Sequence, residues 1–498
     1  MMVSETNETI QNMTRLFYPR AIAIVGASTK PTKWGSRITL NLLNGGYEGN
    51  IYPVNPNEGE VFGLKVYANI RAVPEDTELA VIAVPRDLVC EVLLGCGSKG
   101  IKANVIITAG FAELDELGSK IQQEITNIAD RFHLTVVGPN CTGVSCPVSK
   151  LYSTMVLLFP KAGNMSIIVQ SGNVGNSLLT RSISHNLGVS KYASIGNQAV
   201  CNVGSFLEYF RTDSDTKVIG AYIEGFKNND TATDFIEAAR KVAFRKPLIV
   251  LKGGQTEVGA KAAKSHTGSL GGSAQIFSGL CRQIGVIEAQ SIEELFYTMA
   301  AFSTQPHIRG KKVGIIAWGG GHGVIAADAC IRSGLEVMEL PPRIIKKLSS
   351  YLPAWWSHQN PVDLAGGIGG NILEKVIEVL GAWNGIDALV LLLGIERFWR
   401  RSLPLGDVGH RDKIDYSYYY RLIGEIARQT GLNEKAIIRI KQISAKYQKP
   451  ILCCAELPGV LEYGRQTNLG DDIFYFPAPE IAINAISNMT KYKDSRRK

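Results

Sequence analysis

No apolar run in the 498-residue sequence approaches the ~20 residues that a membrane-spanning helix requires, so no transmembrane helix is expected. The nine cysteines form no Cys-x-x-Cys pair and have no histidine-rich partner tract; Cys141 and Cys146 are separated by four residues, and Cys453 and Cys454 are adjacent. This spacing argues against a zinc site and against a disulfide framework, and no metal site is expected. The first twenty residues include Glu5 and Glu8 and hold no apolar leader core, so a reducing, cytoplasmic setting is expected. Nor is there a strong charge bias: 53 Lys+Arg against 45 Asp+Glu gives +8, and the stretch from Lys491 to Lys498 alone carries five basic residues and one acid. A basic tail expected to fray is not a basic face, and nucleic-acid binding is not expected.

What is present is 45% hydrophobic residues, 20% charged residues and 51 glycines, the composition of a globular chain with many tight turns. At ~150 residues per domain the length predicts about three domains. Short unalternating apolar runs occur at Ala21–Val25, Asn50–Val54, Leu79–Val84, Val105–Thr108 and Leu134–Val137. A second series runs through Met165–Val169, Lys191–Ile195, Val218–Ile223 and Leu248–Leu251, and a third through Val313–Ala317, Leu335–Met338, Ala388–Leu393, Ile451–Cys454 and Ile473–Phe476. Such runs suit strands buried on both faces, and helical stretches between them predict an α/β fold of three doubly wound parallel units. The expected domains are 1–150, 151–308 and 309–498.

The turn after the first run reads Gly26-Ala27-Ser28-Thr29-Lys30-Pro31-Thr32-Lys33-Trp34-Gly35 and opens a helix near Ser36. Free amides there suit a phosphate. The pattern is not Gly-x-Gly-x-x-Gly, and the second run ends in Pro53-Val54-Asn55-Pro56 where a dinucleotide site usually places an acid, so hydride chemistry loses ground. Lys30, Lys33 and Arg37 instead suit a ligand with several phosphates, such as coenzyme A; the competing reading is of solvated lysines beside a structural turn.

In the second unit Val169-Gln170-Ser171-Gly172-Asn173-Val174-Gly175 runs from a buried strand into a helix, so Ser171, Gly172 and Asn173 offer amides at a positive helix end. Glu224 ends the run Val218–Ile223, and Lys252 ends the run Leu248–Leu251, both on the carboxyl rim where parallel sheets bind ligands. The following segment Lys264-Ser265-His266-Thr267-Gly268-Ser269-Leu270-Gly271-Gly272 holds an imidazole among glycines and hydroxyls, suited to attack on a phosphoryl group. Gly254-Gln255-Thr256-Glu257-Val258-Gly259-Ala260 lacks the Lys-Ser/Thr pair of a nucleotide-binding loop.

Together Ile24-Val25-Gly26-Ala27-Ser28, Tyr52-Pro53-Val54-Asn55-Pro56, Gly138-Pro139-Asn140-Cys141, Gln170-Ser171-Gly172, Ser265-His266-Thr267-Gly268-Ser269-Leu270 and Asn360-Pro361-Val362-Asp363 resemble the nucleoside-diphosphate-forming acyl-CoA synthetases, relatives of succinyl-CoA synthetase. The resemblance spans nearly the whole chain. It implies a Rossmann-like CoA-binding domain, a ligase domain with a phosphohistidine, and a third flavodoxin-like domain. His266 falls on the phosphohistidine and Glu224 on the glutamate that stabilises it, with Ser171, Gly172, Asn173 and Lys252 binding phosphate. Expected CoA-binding residues are Gly26, Ala27, Ser28, Lys33, Gly35, Asn55, Val84, Pro85, Ala109, Gly110 and Asn140. In this family an ATP-grasp module holds the nucleotide, and none is legible up to Lys498. The resemblance therefore implies an α-type subunit in a hetero-oligomer, with ADP/ATP or GDP/GTP and Mg²⁺ on a β partner.

Two features depart from the family's pattern. The loop after Gly196-Asn197 reads Gln198-Ala199-Val200-Cys201-Asn202-Val203, without the usual acids, and the third unit opens on Trp318-Gly319-Gly320-Gly321-His322-Gly323. Separately, Arg397-Phe398-Trp399-Arg400-Arg401 with Tyr416 and Tyr418-Tyr419-Tyr420 mixes bases and aromatics. His322 is read either as a ligand contact or as part of a structural turn. The segment 397–420 is read as a surface docking the partner or as a stacking platform. A non-catalytic CoA or acyl-CoA sensor with the same fold is the alternative function, as is a regulatory assembly of the acyltransferase type.

Overall fold

A computed structural model describes residues 2–259, 261, 273–364, 370–392, 434–454 and 473–496. His266, with the rest of 262–272, and the segment 397–420 lie outside the described residues. The chain divides into two units, Met1–Phe296 and Tyr297–Lys498.

The first unit carries two sheets. In the first, strands β1 (Ala21–Val25), β2 (Asn50–Val54), β5 (Leu79–Ile82), β6 (Ala103–Ile106) and β7 (Thr135–Val137) run parallel in the order β2-β1-β5-β6-β7, with a small hairpin of β3 (Glu60–Val61) and β4 (Leu64–Lys65) beside it. Every residue of β1, β5 and β6 is buried, as an apolar run covered by helices on both faces requires. The second sheet places β8 (Gly143–Cys146), β9 (Leu151–Thr154), β10 (Ala162–Val169), β11 (Val189–Ser194), β12 (Val218–Ile223), β13 (Leu248–Lys252) and β14 (Ile287–Ala289) in the order β14-β13-β12-β10-β11-β8-β9. Its β10–β14 core is parallel, but β8 and β9 are antiparallel. This antiparallel edge is not among the runs read from the sequence; two four-residue strands joined by a short turn leave no room for a crossover helix.

Helix α1 (Met2–Phe17) lies where the two sheets meet. Met13, Leu16 and Phe17 are fully buried, and Phe17 stacks on Tyr209 of helix α6 (Val203–Thr212) with ring centroids 5.6 Å apart. Each such side chain contributes about 1.5–3 kcal/mol by leaving water. Helices α2 (Trp34–Asn44), α3 (Val89–Lys99), α4 (Glu116–Phe132), α5 (Gly172–Ser184) and α7 (Asn229–Ala243) complete the layers used below. Local chemistry sets their ends: Asp115 accepts from Gly118 N–H at 2.5 Å to start α4, and Asn202 and Asn228 cap α6 and α7.

The second unit is a parallel sheet in the order β16-β15-β18-β19-β20, built from β15 (Lys312–Ala317), β16 (Glu336–Val337), β18 (Ala388–Leu392), β19 (Ile451–Cys454) and β20 (Tyr475–Phe476), with β17 (Val362–Asp363) pairing with the far end of β15. The basic tail is not frayed over most of its length, since the helix Pro479–Ser495 runs through it and Tyr492 is buried. Among the described residues no helix is long and apolar enough to cross a membrane, and no cluster of three His, Cys, Asp or Glu is placed to hold a metal ion.

Candidate functional site

At the carboxyl rim of the first sheet the chain leaves β1 through Gly26, whose φ of +93° suits glycine. Its amide donates to Val54 O at 2.9 Å, and a side chain there would strike Ala83 O. Gly35, in the first turn of α2, rests on the Gly26 carbonyl with no room for a Cβ, so the helix start is seated directly on the turn. Asn55 Nδ2 donates to Ala27 O at 2.8 Å, and Ser28 Oγ accepts from Lys30 N–H at 3.2 Å. The α2 start, preceded by Lys33, has no side-chain cap and no acid in its first turn, while Lys30 and Lys33 are exposed beside it. That combination favours an anion.

Val84, Pro85, Ala109 and Gly110 follow the adjacent strands on the same rim. Thr108 Oγ1 donates to Val84 O at 2.6 Å, Arg86 donates to Gly110 O at 2.8 Å, and Pro85 and Ala109 are exposed. Asn140, with φ of +58°, follows β7. The expected CoA-binding residues therefore share the carboxyl ends of β1, β2, β5, β6 and β7.

The rim of the second sheet is built around Gln170. The residue directly follows β10, is 8% exposed, and its amide accepts from Glu224 N–H at 2.5 Å and Gly225 N–H at 3.1 Å while donating to Gly225 O at 2.8 Å. Ser171, Gly172 and Asn173 follow at the start of α5, which has neither a side-chain cap nor an acid in its first turn. Glu224 is half-buried one residue beyond β12. Burial pushes the Tyr222 phenol up to about 12, and the neighbouring Glu224 carboxylate adds to the shift. Lys252 is 4% exposed, and its ammonium donates to Glu224 O at 2.7 Å and Gly253 O at 2.5 Å. Burial lowers its pKa, with Glu224 opposing. Lys252 thus sits beneath the strand ends with two backbone carbonyls for partners.

The two rims adjoin. Thr142, just after Asn140, donates its amide to Ser194 Oγ at 3.0 Å, shares a 2.9 Å hydrogen bond with the Tyr192 hydroxyl, and packs its methyl where a side chain on Gly172 would stand. Asn140 Nδ2 donates to Asn197 Oδ1 at 3.2 Å. Asn197 in turn donates to Gln122 Oε1 at 2.9 Å and to Glu113, whose carboxylate also accepts from Gly110 N–H at 2.6 Å and Phe111 N–H at 3.1 Å. Sequence reasoning did not single out Glu113, Gln122 or Tyr222. A polar side chain directly after the buried end of β10 was the available signal at Gln170; Glu113, in the loop well past β6, carried none.

In the second unit Trp318-Gly319 leads from β15 into the helix Gly320–Arg332, and His322 is half-buried in its first turn. Asn360 ties that sheet together, donating to Val313 O at 2.9 Å and Met338 O at 3.1 Å and accepting from Ile315 N–H at 2.9 Å.

Comparison with known proteins matches residues 20–147 to a CoA binding domain, 162–302 to a succinyl-CoA ligase like flavodoxin domain, and 313–399 to a ligase-CoA domain. The chain is 38% identical to the α subunit of ADP-forming acetate–CoA ligase II of Pyrococcus furiosus, over 77% of this chain and 82% of that protein. The chain belongs to the ADP-forming acyl-CoA synthetase family. A second member, the ADP-forming acetate–CoA ligase of Methanocaldococcus jannaschii, is 43% identical over 70% of this chain and 48% of its own length, so the chain spans about half of that protein. The solved dinucleotide-forming acetyl-coenzyme A synthetase 1 of Ca. Korarchaeum cryptofilum, in complex with phosphate and ADP, superposes with a TM-score of 0.83 at 31% identity and 97% coverage of both chains. Family membership accounts for the parallel sheets and for the CoA-binding fold of the first.

Proposed function

We propose that the chain is the α-type subunit of an ADP- or GDP-forming acyl-CoA synthetase, working with an ATP-grasp partner that holds the nucleotide and Mg²⁺. The observation that carries the reading is that each sheet opens an anion-suited helix start at its carboxyl rim, at Gly35 and at Gly172, and that the two rims are joined through Asn140, Thr142 and Asn197. Coenzyme A as substrate fits the first rim, where Gly26 and Gly35 let the helix start sit directly on the turn and Lys30, Lys33 and Arg37 supply positive charge.

In the proposed cycle a phosphate oxygen attacks the thioester carbonyl, the C–S bond breaks and CoA leaves as the thiolate. The amides of Gly172 and Asn173 stabilise the charge on the phosphoryl oxygens. The His266 imidazole then attacks phosphorus, and the carboxylic acid departs as carboxylate. Glu224, the counterpart of the family's stabilising glutamate, favours the phosphorylated form of the histidine. The partner's diphosphate finally takes the phosphoryl group, regenerating neutral His266. Lys252 contributes a fixed positive charge beneath Glu224, and the reverse sequence forms acyl-CoA.

The test mixes the chain with an ATP-grasp subunit of the same family, acetyl-CoA, phosphate and ADP, and measures ATP. Formation of ATP that needs both proteins supports the reading. CoA binding without ATP formation under any acyl-CoA tried would identify a sensor instead.

A further inference from the structure

The β12 ladder ends before its most reactive residue. Pairing with β10 stops at Tyr222 and pairing with β13 at Ile223, so Glu224 and Gly225 lie beyond the sheet's own hydrogen bonds. Backbone in that position ordinarily loosens into a loop. Here two buried side chains replace the ladder: Gln170 takes Glu224 N–H, Gly225 N–H and Gly225 O, and Lys252 takes Glu224 O. Every polar backbone group of Glu224 and Gly225 thereby has a side-chain partner.

This arrangement is demanding. A buried amide and a buried ammonium each cost free energy unless their hydrogen bonds are made, and a methionine would fill either site without that demand. Their main-chain neighbours make the arrangement useful: Gln170 immediately precedes the Ser171-Gly172 helix start, so one residue leads into the anion site with its backbone and grips the carboxylate's peptide with its side chain.

We propose that Gln170 is a positioning residue for Glu224, seconded by Lys252, and that it sets the distance between the phosphate-binding helix start and the carboxylate that orients His266. The inference rests on the proposed function. Among the described residues, Tyr222, Glu224 and Lys252 are titratable groups gathered at the site.

Two variants separate hydrogen bonding from filling. Gln170→Met keeps the length and loses both functions of the amide. Gln170→Glu offers a donor and an acceptor only while its carboxyl is protonated. Phosphoenzyme formation in the full complex is followed from pH 5 to 8, with CoA affinity as a control at the other rim and hydrogen exchange at Glu224 and Gly225 as a readout independent of turnover. Gln170→Met is expected to lower kcat at least tenfold with CoA affinity unchanged and to speed exchange at both amides. Gln170→Glu is expected to regain activity relative to wild type as pH falls, while Gln170→Met does not. Wild-type exchange at Gly225 in Gln170→Met, or equal losses in the two variants at every pH, overturns the inference. A wild-type complex that never becomes phosphorylated overturns the functional reading itself, whereas the exchange result still decides the grip of Gln170.

Discussion

Asn197 Nδ2 donates to Glu113 Oε2 at 2.5 Å, joining the loop after β11 to the loop after β6 and so the rim of one sheet to the rim of the other. The Glu113 carboxylate also closes its own loop on Gly110 and Phe111, and Asn197 also receives Asn140. A shift at either rim is therefore felt at the other.

Removing this link has a graded effect. Asn197→Ala deletes the donor to Glu113 and to Gln122 and is expected to cost about 1–2 kcal/mol in urea unfolding of the chain. Asn197→Asp sets a second carboxylate against Glu113 and is expected to cost more, with the difference shrinking as pH falls and the pair takes up a proton. A midpoint for Asn197→Ala equal to that of wild type would show that the bond carries no stability.

Steric seating of α2 is the next expectation. Gly35→Ala forces a Cβ into the Gly26 carbonyl, which is backbone and does not yield cheaply. A loss of about 1–3 kcal/mol is expected, with CoA binding weakened because the helix start moves off its turn. Gly59→Ala, where a Cβ meets nothing within 4 Å, serves as the control and is expected to change stability by about 0.5 kcal/mol or less.

A buried ionic cluster on β11 predicts acid behaviour. Lys191 is fully buried, with Nζ 2.8 Å from Asp213 and 3.4 Å from Asp215, and Tyr18 donates to Asp215 at 2.5 Å. The Tyr18 hydroxyl, with Lys191 behind it, holds the Asp215 carboxyl below the usual carboxylate range. A carboxyl whose folded pKa is depressed stabilises the fold above its unfolded value and loses that contribution as pH falls through the folded value. The urea midpoint is thus expected to fall more steeply below about pH 4 in wild type than in Tyr18→Phe. Lys191→Ala, which leaves Asp213 without its buried partner, is expected to cost about 3–5 kcal/mol at neutral pH.

Thiol chemistry gives a simple count. All nine cysteines are free thiols, eight are buried, and Cys90 is half-buried. Burial pushes Cys96, Cys141, Cys201 and Cys453 up to about 12. Brief alkylation of the folded protein at pH 8 is expected to modify Cys90 at most, and denaturant is expected to open all the rest; mass spectrometry reads both. Rapid labelling of Cys141 without denaturant would contradict the packing around Asn140.

Most strands were legible because a run covered on both faces must be apolar throughout: Ala21–Val25, Val218–Ile223 and Ile451–Cys454 coincide with the observed elements, as does Asn50–Val54, an edge strand that is only partly buried. Some shorter pieces were not. β8, β9, β14 and β17 hold two to four residues each, too few for a period to stand out, and β8 owes its place to pairing along β11 and β9 to pairing along β8. At the site, the helix starts at Gly35 and Gly172 were readable from glycine following a buried strand. The links were not, because Asn197, Glu113 and Gln122 meet only after the two sheets have packed. Gln170 was visible as part of a motif, but its hold on Glu224 is a tertiary fact across fifty residues of chain. His266 and the aromatic segment 397–420 lie outside the described residues.

The central claim is that His266 carries the phosphoryl group, and peptide mapping of the labelled subunit tests it most directly. The chain and its ATP-grasp partner are incubated with acyl-CoA and radiolabelled phosphate without diphosphate, then digested under alkaline conditions. An acid-labile, base-stable label is expected, confined to the peptide containing His266 and absent from His266→Ala. A label of the same lability that survives in His266→Ala, or that maps to another peptide, would contradict it.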